Sequence, residues 1–122
     1  MSLFDLIPLN REWSLHSPEN GLSMLVDLPH HLLIGDIPAS LQKTFDLDPI
    51  GEVCLRFILH IAAAPAGTVV NVNRWEAGIT QDQYPFAADV TDYVTLEYNV
   101  LILKLRQGGR LGAMWLERLP CE

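Results

Sequence analysis

A chain of 122 residues fits a single domain and is long enough to bury a core without covalent staples. Fifteen acidic against eight basic residues leave a net charge of −7. With no basic stripe, such a chain repels phosphate backbones and anionic lipid, which excludes nucleic acid and membrane surfaces as partners.

The acid is unevenly placed: eight acidic and two basic residues lie up to Glu52, seven acidic and six basic beyond it. Apolar residues make up 49% of the chain, above the usual share for a soluble domain, so something outside the core is expected to cover apolar surface. No apolar run reaches the roughly 18 residues a membrane helix needs, and no secretory leader pattern opens the chain, so the expected location is the cytoplasm or a larger assembly. Cys54 falls in a strand pattern and Cys121 near the end, with no framework spacing between them. One buried and one loose thiol are expected, with a bridge between the two as the alternative.

In chain order, residues 1–20 read as an N-terminal arm. Leu3, Phe4, Leu6 and Ile7 suit one short amphipathic turn stopped by Pro8, and Trp13 and Leu15 suit a short edge strand. Ser17 to Gly21 is turn chemistry, followed by extended runs at Leu22–Leu28 and His30–Ile34. Asp36–Leu41 offers a single helical turn and Gln42–Leu47 a strand with Lys43 and Phe45 on one face. Asp48-Pro49-Ile50-Gly51 is a tight turn.

Glu52–Ile61 is the clearest strand of the first half. Val53, Leu55, Phe57, Leu59 and Ile61 share the face that must be core. The opposite face, with Cys54, Arg56, Ile58 and His60, is mixed enough to line a concave binding surface. Thr68–Asn73 is the next strand. Arg74–Tyr84 then reads as a long polar and aromatic loop, with a short strand at Trp75–Ala77, of the kind that carries binding groups on a rigid sandwich.

Pro85–Val90 is extended, and Asp89-Val90-Thr91-Asp92 is a compact turn that caps a short helical piece at Tyr93. Tyr98–Arg106 is a strand with Leu101, Leu103 and Leu105 inward and Val100, Ile102, Lys104 and Arg106 on its other face. Gly108-Gly109 reads as a hairpin leading into Leu111–Leu119. About eight strands with no convincing long helix predict an all-β sandwich or barrel.

These features occur in a recognisable order. Val70 and Val72 lead to Asn73, and Gly78, Pro85-Phe86 and Asp89-Val90-Thr91 follow. Asn99 then opens the alternating strand Val100–Leu105, and Gly112-Ala113-Met114-Trp115 comes last. The order resembles the galactose-binding-like jelly roll, in particular the sugar-binding domain of family 2 glycoside hydrolases of the β-galactosidase and β-glucuronidase type. It spans Gly21 to Leu119 and implies one jelly-roll β-sandwich over 21–119 behind the arm. Arg74 and Glu97 depart from it, each standing where that family usually has Gly.

The resemblance implies a non-catalytic carbohydrate-binding module. The alternative is a structural or protein-interaction β-sandwich without a sugar ligand, since such domains also support a neighbouring catalytic barrel. For the first, Trp75 and Tyr84 are the stacking candidates, Arg74 supplies hydrogen bonds, and Arg56 and His60 line a groove; the competing possibility has Trp75 packed on the sandwich end. For the second, Ile58, Val100 and Ile102 form an apolar face for a homodimer or another protein.

Asp89 and Asp92 are the weak candidates for a structural calcium ion, against the simpler role of Asp89 in holding its own turn. No other cofactor is expected. His30-His31 point to opposite sides of an extended chain and make a poor chelating pair. No nucleophile elbow stands out, and Asp46 and Asp48 share a strand face instead of opposing each other across a cleft, so no enzymatic activity is expected.

Overall fold

The computed structural model describes residues 5–17, 21–32, 37–47, 54–82, 84–95 and 97–121. Among them are twelve strands and no helix: β1 (Asp5–Pro8), β2 (Trp13–Ser17), β3 (Leu22–Val26), β4 (His30–Leu32), β5 (Ala39–Asp46), β6 (Leu55–Ile61), β7 (Val69–Val72), β8 (Trp75–Ile79), β9 (Phe86–Asp89), β10 (Tyr98–Leu105), β11 (Gly109–Leu111) and β12 (Met114–Pro120). One sheet runs β1-β12-β6-β9, a second runs β3-β2-β5-β10-β7-β8, and β4 pairs with β11 alone. The fold is an all-β sandwich, as expected, with more strands than the eight or so anticipated.

The core follows from strand alternation. Along β10, Asn99, Leu101, Leu103 and Leu105 are buried, while Val100, Ile102 and Lys104 face out. Phe57, Leu59 and Ile61 of β6 are buried, as are Met114 and Leu116 of β12, which stand opposite Ile61 and Leu59 in the ladder. Trp13 is completely buried. Its indole Nε1–H donates to the Leu9 carbonyl at 2.7 Å, so the largest core side chain leaves no polar atom unpaired.

Several expectations are corrected. Residues 5–17 are not an arm: β1 pairs with β12, and β2 lies between β3 and β5 and is not an edge. Trp13, Leu15 and Ser17 alternate as a fully buried inner face. Ala39–Leu41 is not a helical turn but the start of β5, where Leu41 stands opposite both Leu15 and Leu103. Two ladders there outweigh local propensity.

Gly108-Gly109 does not close a hairpin. Both edges of β10 are taken, by β5 and β7, so the following chain has nothing to fold back on. It crosses over, pairs briefly with β4 as β11, and enters the other sheet as β12 between β1 and β6. Gly112 serves that entry, because a Cβ there would stand 3.0 Å from the Ala63 backbone nitrogen.

Cys54 and Cys121 are joined in a disulfide, not separate thiols. The cause is the β6–β12 register: Leu55 stands opposite Pro120, so the next positions outward face each other, and the Cys121 N–H donates to the Cys54 carbonyl at 3.1 Å. The expected turns at Ser17–Gly21 and Asp48–Gly51, and the strand ends at Ile34 and Glu52–Val53, lie wholly or partly outside the described residues.

Candidate functional site

The segment expected to be a long loop begins instead as a tight hairpin. Val72 and Trp75 are paired, leaving only Asn73 and Arg74 between β7 and β8, with φ of 49° and 77°. Positive φ at both positions is what a two-residue hairpin turn demands. Asn tolerates it, whereas Arg pays for its Cβ there.

A side-chain network holds this turn. Asn73 Oδ1 accepts from the Val100 N–H at 2.8 Å, and its Nδ2 donates to the Tyr93 carbonyl and to Asn99 Oδ1, both at 2.8 Å. Asn99, completely buried, also accepts from the Thr95 N–H at 2.8 Å and donates to the Thr95 carbonyl at 2.9 Å. Two amides therefore tie the hairpin to the segment between Val90 and Asn99.

That segment is shaped by Asp89. Its Oδ1 accepts from the Thr91 N–H at 3.0 Å and the Thr91 hydroxyl at 2.6 Å, and its Oδ2 takes the Arg56 guanidinium at 3.0 Å. The Thr91 hydrogen bonds, with Arg56 adding to them, hold the Asp89 carboxyl below the usual aspartate range. One α-turn follows, with the Tyr93 and Val94 N–H groups donating to the Val90 carbonyl at 2.9 and 3.1 Å.

This turn puts Tyr93 beneath Trp75. Their rings are nearly parallel, 16° apart with centroids separated by 6.0 Å, while Trp75 remains 61% exposed. The far end of the hairpin is fastened too: the Thr68 and Thr80 hydroxyls both donate to the Pro65 carbonyl, at 2.9 and 2.6 Å. Gly78 gives the Phe86 ring room, since a Cβ at residue 78 would stand 2.9 Å from it.

The expected site residues do not all meet. Arg74 and Trp75 sit together at the hairpin tip. Tyr84 lies past the opposite end of β8, on the segment that leads to β9, and the ring stacked on Trp75 is Tyr93. Arg56 and His60 face out from the other sheet and are already engaged: Arg56 with Asp89, His60 stacked on Trp115 at 5.1 Å and within 3.0 Å of Glu117 Oε1.

The three apolar residues expected on one face are also divided. Ile58 faces out from the sheet of β6, whereas Val100 and Ile102 face out from the sheet of β10. Alternation was right on each strand, but the strands belong to opposite layers. Val100 and Ile102 instead floor a groove of about 510 Å³, with Asn71, Asn73, Arg74 and Lys104 around it.

Among the described residues no group of three or more His, Cys, Asp or Glu side chains gathers to hold a metal. Asp89, one of the two calcium candidates, already holds a guanidinium and its own turn. Tyr93 is the residue of this candidate site that sequence alone missed; its nearest signal was the Asp-centred turn just before it.

No protein-family model matches this chain, and neither does any curated protein sequence. Solved structures do share its fold. The β-D-glucuronidase of Dictyoglomus thermophilum superposes with a TM-score of 0.81 at 12% identity, covering 98% of this chain and 29% of that one. For the β-glucuronidase of Bifidobacterium dentium the values are 0.78, 14%, 100% and 31%. For a family 2 glycosyl hydrolase of Bacteroides cellulosilyticus they are 0.76, 14%, 94% and 21%.

The protein thus has the fold of a β-sandwich domain of family 2 glycoside hydrolases, the resemblance first carried by Asn73, Pro85-Phe86, Asp89-Val90-Thr91 and Asn99. It spans between about a fifth and a third of the length of these three enzymes.

Proposed function

We propose that this chain is a non-catalytic carbohydrate-binding module whose site is the Trp75–Tyr93 platform at the hairpin tip. The observation that carries the reading is Trp75 itself, an indole 61% exposed yet backed by a parallel ring and set on a hairpin anchored at both ends. A flat aromatic held in place suits the C–H face of a sugar ring, and little side-chain entropy remains to be lost on binding. Arg74 stands beside it to bond hydroxyls. Affinity would be modest, because sugar hydroxyls and Arg74 must shed water first.

The test is a glycan-array screen of the purified protein, with and without calcium, against Trp75→Ala verified as folded by circular dichroism. A hit that disappears in the variant is expected. A folded wild type with no hit, or a hit untouched by the substitution, overturns the assignment.

A second reading, a structural or interaction module, is favoured by β3. It is an edge of the larger sheet, and its Met24 and Leu25 are exposed. An unpaired strand edge with apolar side chains is a template for another chain. Sedimentation of the wild type beside Leu25→Lys tests it: a dimer that the substitution dissociates supports this reading, and a monomeric wild type sinks it.

A further inference from the structure

The outer face of β10 carries a feature that adjoins the Trp75 platform at Arg74 and extends away from it. Three depressions run end to end along it. The first, about 510 Å³, includes Arg74, Val100, Ile102 and Lys104. The second, about 310 Å³, shares Lys104 and adds Arg106. The third, about 470 Å³, shares Arg106 and continues to Gly108. Sharing Lys104 and then Arg106 at their junctions, they line up as one shallow channel along the strand, with Val100 and Ile102 in its floor and Arg74, Lys104 and Arg106 as its cations.

Those three cations are half of the six basic residues beyond Glu52; the fold gathers them on one strip of a chain whose net charge is −7, which corrects the expectation that no basic stripe exists. Glu76 lies on the same face, opposite Asn71, and Asp46 stands opposite Tyr98. Even so, among the described residues no ion pair involves the three cations of the channel; Arg56 and His60, on the other sheet, are the ones that meet carboxylates, at Asp89 and Glu117. The side-chain amide of Asn71, at the channel wall, likewise makes no hydrogen bond to a described residue.

The backbone of the strip has nothing to offer a ligand. β10 is paired along its length to β5 and through Leu101–Lys104 to β7, so an extended peptide cannot add there as a strand. Whatever binds must be read by side chains: aliphatic floor against C–H faces, a free amide against hydroxyls, and cations against repeated negative charge, Lys104 and Arg106 about 7 Å apart at two strand residues and Arg74 farther along at the hairpin turn.

We infer that this channel binds an extended acidic oligosaccharide, a chain of sugar acids whose carboxylates pair with Lys104, Arg106 and Arg74. The inference keeps to the sugar-binding class proposed above but rests on a second surface, so the two fail separately. Trp75→Ala probes the platform, and Lys104→Gln with Arg106→Gln probes the channel. Both channel residues are exposed, and the doubly substituted protein is expected to fold with an unchanged melting midpoint.

The experiment is calorimetric titration of the full chain with unesterified galacturonic acid oligomers, with the same oligomers methyl-esterified, and with polyglutamate of matched length, at low ionic strength and with added salt. Expected are binding of the unesterified oligomer that weakens with salt, a loss of about tenfold or more in the double variant from two screened charge contacts, and unchanged binding in Trp75→Ala. Absent binding of the unesterified oligomer overturns the inference. So does equal binding of its methyl ester, which would mean that carboxylate is not read, or equal binding of polyglutamate, which would mean that sugar is not.

Discussion

Asn99→Leu tests whether the two-amide network holds the candidate site in place. Leu has similar bulk and no polar atoms, so the perturbation is confined to hydrogen bonding. Four groups lose a partner: the Thr95 N–H, the Thr95 carbonyl, one hydrogen of Asn73 Nδ2, which keeps only its bond to the Tyr93 carbonyl, and the Phe45 carbonyl, whose 3.5 Å contact is long enough to add little to the three. A buried polar group left unmatched costs about 1–3 kcal/mol. Thr95 itself is exposed, so water compensates its backbone in part, and the low end of that range applies to each group.

The expected loss is therefore about 3 kcal/mol, a large share of the 5–15 kcal/mol typical of a domain. In thermal terms it is a fall of roughly 10 °C for a chain of this length. Urea unfolding followed by tryptophan fluorescence measures it, with the dependence on denaturant expected to keep its slope. A loss below about 1 kcal/mol would refute the argument, because it would mean that the network is replaced by water at no cost and does not fasten the hairpin.

The remaining predictions concern the staple, the turn and the tip. Cys54→Ser opens the bridge between residues 67 apart in sequence and is expected to cost about 4 kcal/mol by loop-closure entropy; the same shift should follow reduction of the wild type in a thermal melt. Asp89, with its carboxyl depressed in the folded state, contributes stability that is present above the unfolded value of about 3.9 and is lost as pH falls through the lower folded value. Asp89→Asn should therefore be less stable than wild type at pH 7, with the gap closing below about pH 4 in parallel denaturation curves. Arg74→Gly should raise stability by about 0.5–1 kcal/mol in the same assay, by relieving a Cβ at φ of 77°.

What was legible in the sequence is what a single strand writes down by itself. The alternation in Phe57–Ile61 and Leu101–Leu105 fixed the inward residues of β6 and β10, and Asp89-Val90-Thr91 announced its own turn. What was not legible depends on which strand lies alongside. Trp13 and Leu15 alternate equally well on an edge or in the middle of a sheet. Gly108-Gly109 reads as a reversal unless one knows that both edges of β10 are occupied. The bridge between Cys54 and Cys121 is a matter of register between two strands nearly sixty residues apart.

The candidate site divides along the same line. Arg74 and Trp75 are neighbours in the chain and remain together. Arg56 and His60 do share a strand face, but their partners Asp89, Trp115 and Glu117 come from the strands on either side. Tyr93 escaped notice because its position is set by the Val90 carbonyl and by Asn73, not by any periodicity around it.

Arg74 is where fold and function pull apart. A glycine after Asn73 would satisfy the same two-residue turn without strain, and every other interaction of the tip, from Asn73 to Val100 and Asn99, would survive the change. A costly residue kept at a strained position is evidence of use when its side chain also reaches a site, and Arg74 does so at the mouth of the β10 channel. Stability and binding should therefore move in opposite directions in Arg74→Gly: a higher midpoint, and weaker uptake of the acidic oligomer by up to about fivefold for one screened cation. If stability rises and binding holds, the arginine's strain serves no ligand in that channel, and Lys104 and Arg106 must account for its charge alone.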